Sequence, residues 1–203
     1  PVGFMRFSNF TAWDPANKDS NITLSNANRT AAMSTGVFDS GGVRNLLPKS
    51  IGKLYAELTL NVWTSGQSRG AFGIGTSAAV LADTYVWGTS DAISASYAEI
   101  GGSSQLYANT SSTAISATTL AQGQVISIAV DIPNHRIYWA NNGTWQNSAN
   151  PGAGTGYVDY ITTSPIYLLC GLRHGAFGSA EQATLNTGGA SFAYAPPSGF
   201  VAW

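Results

Sequence analysis

The chain has 203 residues, 44% of them hydrophobic, enough for a packed core in one domain and too apolar for a disordered segment. Nine Lys and Arg stand against ten Asp and Glu, giving a net charge of −1 with 9% charged residues, where about 25% is usual. Without a basic cluster there is little to release counterions from a phosphate backbone, so nucleic acid is excluded as a main partner. No apolar run approaches the roughly 20 residues of a membrane span, which argues against membrane insertion, and no signal peptide is visible. Cys170 stands alone, which excludes an intrachain disulfide and any zinc site built on several cysteines.

With Ser and Thr numbering 42, the surface must be solvated by hydroxyls, amides and backbone rather than by ions. In chain order, the first clear element is residues 54–62, where Leu54, Ala56, Leu58, Leu60 and Val62 alternate with Tyr55, Glu57, Thr59 and Asn61. That period of two predicts a strand with one buried and one more polar face, and places Glu57 as a solvated or cross-strand residue. Strands follow at 71–76 and 93–100. Residues 125–132 put Ile126, Ile128, Val130 and Ile132 on one side, turn at Pro133-Asn134 into 135–139, and close at Asn141-Asn142-Gly143. Further strands are expected at 166–172 and 182–185. In the last stretch Pro196-Pro197 cannot donate to a ladder, so 190–203 reads as an extended segment stapled to the rest by Phe192, Tyr194 and Phe200. No window carries a helical stripe, no internal repeat is found, and no linker divides the chain. The class is all-β, and one domain spans 1–203 with an N-terminal flank at 1–35.

Motifs for chemistry are weak by comparison. The carboxylates are Glu57, Glu99, Glu181 and seven Asp, and no spacing proposes the paired acids of a glycosidase. The histidines, His135 and His174, have no nucleophile elbow to serve. Cys170 and His174 lack further ligands at a zinc spacing, and Cys170 reads as a small core residue. Gly73-Ile74-Gly75-Thr76-Ser77-Ala78 matches a dinucleotide fingerprint formally, but no helix follows to receive a pyrophosphate; glycines that let one strand approach another explain it better. Neither cofactor, metal nor enzymatic activity is expected. Aromatic residues are the more informative set. Phe72 and Trp139 should be core, whereas Trp63, Tyr85, Trp87, Trp145 and Tyr157 fall at strand ends or in loops beside amides and hydroxyls, a setting that suits sugar or peptide contact.

The ordered pieces "VRNLLPKSIGKLYAELTL" (43–60), "FGIGT" (72–76) and "ISIAVDIPNHRIYWANNGTW" (126–145) resemble the SPRY domain, and the resemblance covers most of the chain. It implies a bent sandwich of two antiparallel sheets, a concanavalin A-like jelly roll. The flanks "WDPANKDSNITLSNANRTA" (13–31) and "FAYAPPSGFVAW" (192–203) look like SPRY domains encoded by bacteriophages, in fibre, spike or decoration proteins. Pro133-Asn134-His135 stands where the family often has Asp-Asn-Gly. In SPRY domains that capture peptides the binding surface is made by loops at one edge, which by order fall here at 83–87 and 173–175. The resemblance thus implies a ligand-binding set of Asp83, Tyr85, Trp87, Arg173 and His174, to which the loop aromatic Trp145 is added. It implies a non-catalytic virion-surface module, with a host surface glycan or a neighbouring virion protein as partner and a homo-oligomer compatible with fibre symmetry. A peptide-binding adaptor is the first alternative and a carbohydrate-active hydrolase on the same scaffold the second.

Overall fold

Alternation at period two becomes strands in two stacked antiparallel layers. The computed structural model describes residues 10–34, 40–64, 70–82, 94–100, 102–108, 115–161, 165–174 and 179–203. Numbered in chain order, the strands of the first sheet lie side by side as β1 (Trp13–Lys18), β4 (Ser40–Asn45), β14 (Tyr167–Arg173), β6 (Ala71–Gly75), β7 (Ser94–Ile100), β8 (Ser103–Ala108) and β9 (Ile115–Ser116). The second sheet runs β12 (Thr144–Trp145), β11 (Arg136–Asn141), β10 (Val125–Asp131), β5 (Lys53–Val62), β15 (Gln182–Asn186), β3 (Thr30–Met33) and β2 (Ile22–Ser25). Two short strands complete it: β13 (Val158–Asp159) beside β11, and β16 (Val201–Ala202) parallel to the start of β5, the one parallel pairing among the described strands. The only helical turn among the described residues is Gln146–Ser148.

The inward face of β5 carries Leu54, Ala56, Leu58 and Leu60, and its partner β10 carries Ile126, Ile128 and Val130. These meet Phe72, Ile74, Tyr97, Leu168, Cys170 and Leu172 from the other sheet in one buried cluster. Burying such side chains is the main favourable term of folding, about 1.5–3 kcal/mol each. Trp139 crosses between the layers, its indole N–H donating to the Phe72 carbonyl at 3.1 Å, so a large ring is placed without leaving its polar atom unmet.

The β10–β11 hairpin keeps register from Ile126 opposite Asn141 to Asp131 opposite Arg136. Its turn is held by Asp131, which accepts from the Asn134 side chain at 2.9 Å and pairs with Lys53 at 3.1 Å. At the other end Asn142 and Gly143 both have positive φ, 46° and 78°, the geometry that an Asn-Gly dipeptide adopts cheaply in a two-residue hairpin. In β6, a Cβ on Gly73 would lie 1.9 Å from the Ala95 carbonyl oxygen. The glycines of the formal dinucleotide pattern therefore serve close strand approach, as their setting suggests.

Each sheet has an outer cover. On the first, residues 76–82 cross the face, with Ala79 and Leu81 packed against Ala71, Ala98, Tyr107 and Leu169. On the second, Phe192 and Phe200 sit on a cluster built from Tyr55, Ala129 and Tyr138. Glu57 departs from expectation here. It is buried, and its carboxylate accepts from the Ala193 and Tyr194 backbone N–H groups at 2.8 and 2.9 Å and from the Tyr55 hydroxyl at 2.9 Å. Its side of the strand is polar, as the alternation implies, but the C-terminal segment covers it.

Candidate recognition surface

One end of the sandwich gathers the ends of β3, β5, β7 and β14 with the starts of β4, β6, β8 and β15. The backbone bonds fix this: Met33 N–H donates to the Glu181 carbonyl at 2.9 Å, Glu181 N–H to the Arg173 carbonyl at 3.1 Å, and Glu99 N–H to the Gly70 carbonyl at 3.0 Å. Gln182 stands opposite Val62. Strand ends are where side chains leave the ladder, so this rim is where connecting segments can present groups to a ligand.

Two buried carboxylates support the rim from below. Glu181, 1% exposed, accepts the Arg173 backbone N–H at 2.8 Å, which holds the last residue of β14 in place. Glu99 is fully buried and accepts the Trp63 indole N–H at 3.1 Å. Trp63 lies over Gly70 so closely that a Cβ there would fall 2.1 Å from the ring. Trp63 therefore bridges the layers and closes the core at this end; expected among the aromatics at strand ends or in loops that suit ligand contact, it stands at a strand end but is only 5% exposed. The cue in the sequence was positional: a Trp one residue past the last alternating position of β5, and a Gly one residue before β6.

Burial dominates the electrostatics of the interior. It pushes the Tyr97 hydroxyl up to about 12, the Asn141 amide opposing and the Glu99 charge adding. It pushes the Cys170 thiol up as well, helped by the Glu181 carboxylate, so Cys170 is a packed core residue with little thiolate character. Among the described residues no three His, Cys, Asp or Glu side chains stand where they could hold a metal ion.

Of the expected ligand-binding set, Arg173 and His174 lie together at the end of β14, both half-buried. Asp83, Tyr85 and Trp87 lie outside the described residues. Ala82 bridges to Gly41, and Gly41 pairs with Leu172, one residue before Arg173. Two ladder steps, each about 4.8 Å wide, thus separate Ala82 from the base of the Arg173–His174 rim. Trp145 is elsewhere: it pairs with Ala140 at the far edge of the second sheet and packs against the outer-face cluster of Tyr55, Tyr138 and Phe200. The structure does not bring it to Arg173. Sequence order placed all these residues in loops, but which edge a loop occupies is decided by strand pairing.

No family model matches the chain, and no curated protein is similar to it in sequence. Solved structures are similar in shape. The SPRY domain of human HERC1 superposes with a TM-score of 0.66 at 13% identity, over 89% of this chain and 100% of that one. The TRIM65 PSpry domain gives 0.60 at 13% identity over 87% and 88%, and a human SPRY domain 0.59 at 14% over 84% and 98%. These likenesses show that the chain has the SPRY fold, a two-sheet antiparallel sandwich.

Proposed function

We propose that this protein is a non-catalytic recognition module that binds through the rim where β14 ends. The fold is one that often mediates protein–protein interaction, and the observation that carries the assignment is local. Ala82, the last described residue before 83–87, bridges to Gly41, which pairs with Leu172 next to Arg173 and His174. By the family resemblance, which sets the 83–87 loop at the same edge as 173–175, Tyr85 and Trp87 would join this guanidinium and imidazole in a neutral-to-basic contact surface. It suits hydroxyl-rich or carboxylate-bearing ligands, with rings stacking on apolar faces and the guanidinium taking an oxygen pair.

The flanking sequences 13–31 and 192–203 resemble phage-encoded SPRY domains, and that resemblance supports the narrower reading. The module sits at the virion surface, in a fibre, spike or decoration protein, and recognises a host surface glycan or a neighbouring virion protein. Glycan arrays and peptide pull-downs with the purified chain separate the two ligand classes. Binding in either should fall on Tyr85→Ala, Trp87→Ala or Arg173→Ala; if all three variants fold and bind as before, the rim is not the site. Mass spectrometry of purified particles tests the location, and absence from them would defeat the virion reading.

A further inference from the structure

At the opposite end of the sandwich the turn between β2 and β3 faces the segment after β15 across a depression of about 220 Å³. Phe10, Ala27, Arg29, Asn186 and Gly189 line it, and Thr11 and Thr187 also contribute to its lining. Drug-sized ligands fill roughly 300–1,000 Å³, so this pocket accepts something smaller, of the size of one sugar ring. Among the described residues no carboxylate lines it.

Its polar groups are mostly spent, and the two donors that remain are informative. Thr187 Oγ1 accepts the Thr11 N–H at 3.1 Å and donates to the Thr11 carbonyl at 2.9 Å; Thr11 Oγ1 accepts from Leu47 N–H at 3.1 Å and the Asn45 amide at 3.3 Å. Asn186 Oδ1 accepts the Gly188 N–H at 3.0 Å, and its amide gives one N–H to the Ser191 carbonyl at 3.1 Å, with the second N–H remaining. Arg29 is anchored by Nε to the Asn26 carbonyl at 3.3 Å and by Nη2 to Asn26 Oδ1 at 3.0 Å. Of the five guanidinium N–H groups, three are left over. No Asp or Glu side chain among the described residues stands in the pocket lining to serve as its counterion. A cation fixed by its own turn is preorganised, which lowers the cost of ordering it on binding.

The ring of Phe10 completes the pocket. It is 47% exposed, and the Gly188–Gly189 turn leans against it: a Cβ on Gly189 would sit 3.3 Å from the ring. A planar apolar face, a fixed guanidinium and a spare amide N–H form a donor-only site beside a stacking surface. The geometry points to a second binding site, at the Phe10–Arg29–Asn186 pocket, for a single carboxylate-bearing sugar residue of the uronic acid type. The carboxylate meets Arg29 and the pyranose face meets Phe10. The site is separate from the β14 rim and does not depend on the reading proposed for it.

The test is an amide-detected NMR titration of the whole chain with D-glucuronate, D-glucose and acetyl-Ala-Ala carrying a free C-terminus. Glucuronate should give saturable shifts at Phe10, Arg29 and Asn186 with a millimolar dissociation constant, and glucose, lacking the charge, should bind about tenfold more weakly. Arg29→Gln should weaken glucuronate by about the same factor. Because that change could loosen the turn, Phe10→Ala, at an exposed position, serves as the second variant and should weaken it about fivefold. The site is refuted by equal binding of glucose, by acetyl-Ala-Ala binding as tightly as glucuronate, or by no saturable shift. Shifts confined to Arg173 and His174 would refute it too, while supporting the rim.

Discussion

Replacing Glu57 by Ala should detach the C-terminal segment at a calculable cost. The carboxylate is 3% exposed and accepts three hydrogen bonds, from the Ala193 and Tyr194 N–H groups at 2.8 and 2.9 Å and from the Tyr55 hydroxyl at 2.9 Å. Tyr55 retains Ser127 at 2.9 Å in the variant, so the loss falls mainly on two backbone donors. A buried donor left unmet costs about 1–3 kcal/mol, and water entering as the segment lifts sets the lower end. The expected destabilisation is therefore about 3 kcal/mol, or roughly 6–12 °C in Tm for a chain of this length. Glu57→Gln retains an acceptor toward Tyr194 but turns an amide donor toward the Ala193 N–H, and should cost about 2 kcal/mol. Urea unfolding gives the free energies, and amide exchange at residues 192–200 reports whether the segment opens locally before the sandwich does. A loss below about 0.5 kcal/mol for Glu57→Ala, with exchange at 192–200 unchanged, would refute the reasoning.

Gly73→Ala should be far more damaging than an ordinary surface change, because its methyl would lie 1.9 Å from the Ala95 carbonyl oxygen; at least about 3 kcal/mol is expected from urea unfolding, as β6 and β7 must separate. Alkaline stability should fall above pH 10. Tyr97 is pushed up to about 12 by burial and burial also raises Tyr55 and Tyr160, so the unfolded chain loses these protons before the folded one. The stability they contribute is complete below pH 10 and declines through the folded values, by about 1.4 kcal/mol per pH unit for each tyrosine, which ultraviolet phenolate absorbance would follow together with unfolding. Cys170, buried and raised by its surroundings, should resist a thiol reagent such as dithionitrobenzoate at pH 8 in the folded state and react at once in urea; rapid reaction in the native protein would contradict its place in the core.

The parts of the fold legible in the sequence were those with a clean local period. β5, β10 and β15 read directly because one face meets the core and the other does not, and the Asn142-Gly143 turn read because only a few dipeptides tolerate its dihedral angles. β4, with Gly41 and Gly42 in its run, and β1, with Asp14 and Pro15, show no alternation; they are strands because neighbours pair with them. That is tertiary context overriding weak propensity. At the candidate rim, Arg173 and His174 were legible as the exit of a strand. The separation of Trp145 from them was not, because it depends on strand order within a sheet and on the side of the sandwich each edge occupies.

The glutamates show why a chain so poor in charge still places its acids where it does. Glu57, Glu99 and Glu181 are all buried, at 3%, 0% and 1% exposure. Each accepts an N–H that the ladder of its own sheet cannot satisfy: those of Ala193 and Tyr194, the indole of Trp63, and that of Arg173. A carboxylate offers about four acceptor sites on two oxygens, more than a Ser or Asn side chain can, and its hydrogen bonds are the stronger for being charge-assisted. Desolvating it is expensive, so such a residue persists in the interior only where donors meet it. In this sandwich the donors come where a segment leaves or joins a sheet: three to Glu57 under the C-terminal cover, the Trp63 indole to Glu99 where the core closes, and the Arg173 N–H to Glu181 at the base of the β14 rim. The acids thus fix segment boundaries, while in the proposed sites contact with other molecules would fall to hydroxyls, amides, rings and the few cations at the two ends of the sandwich.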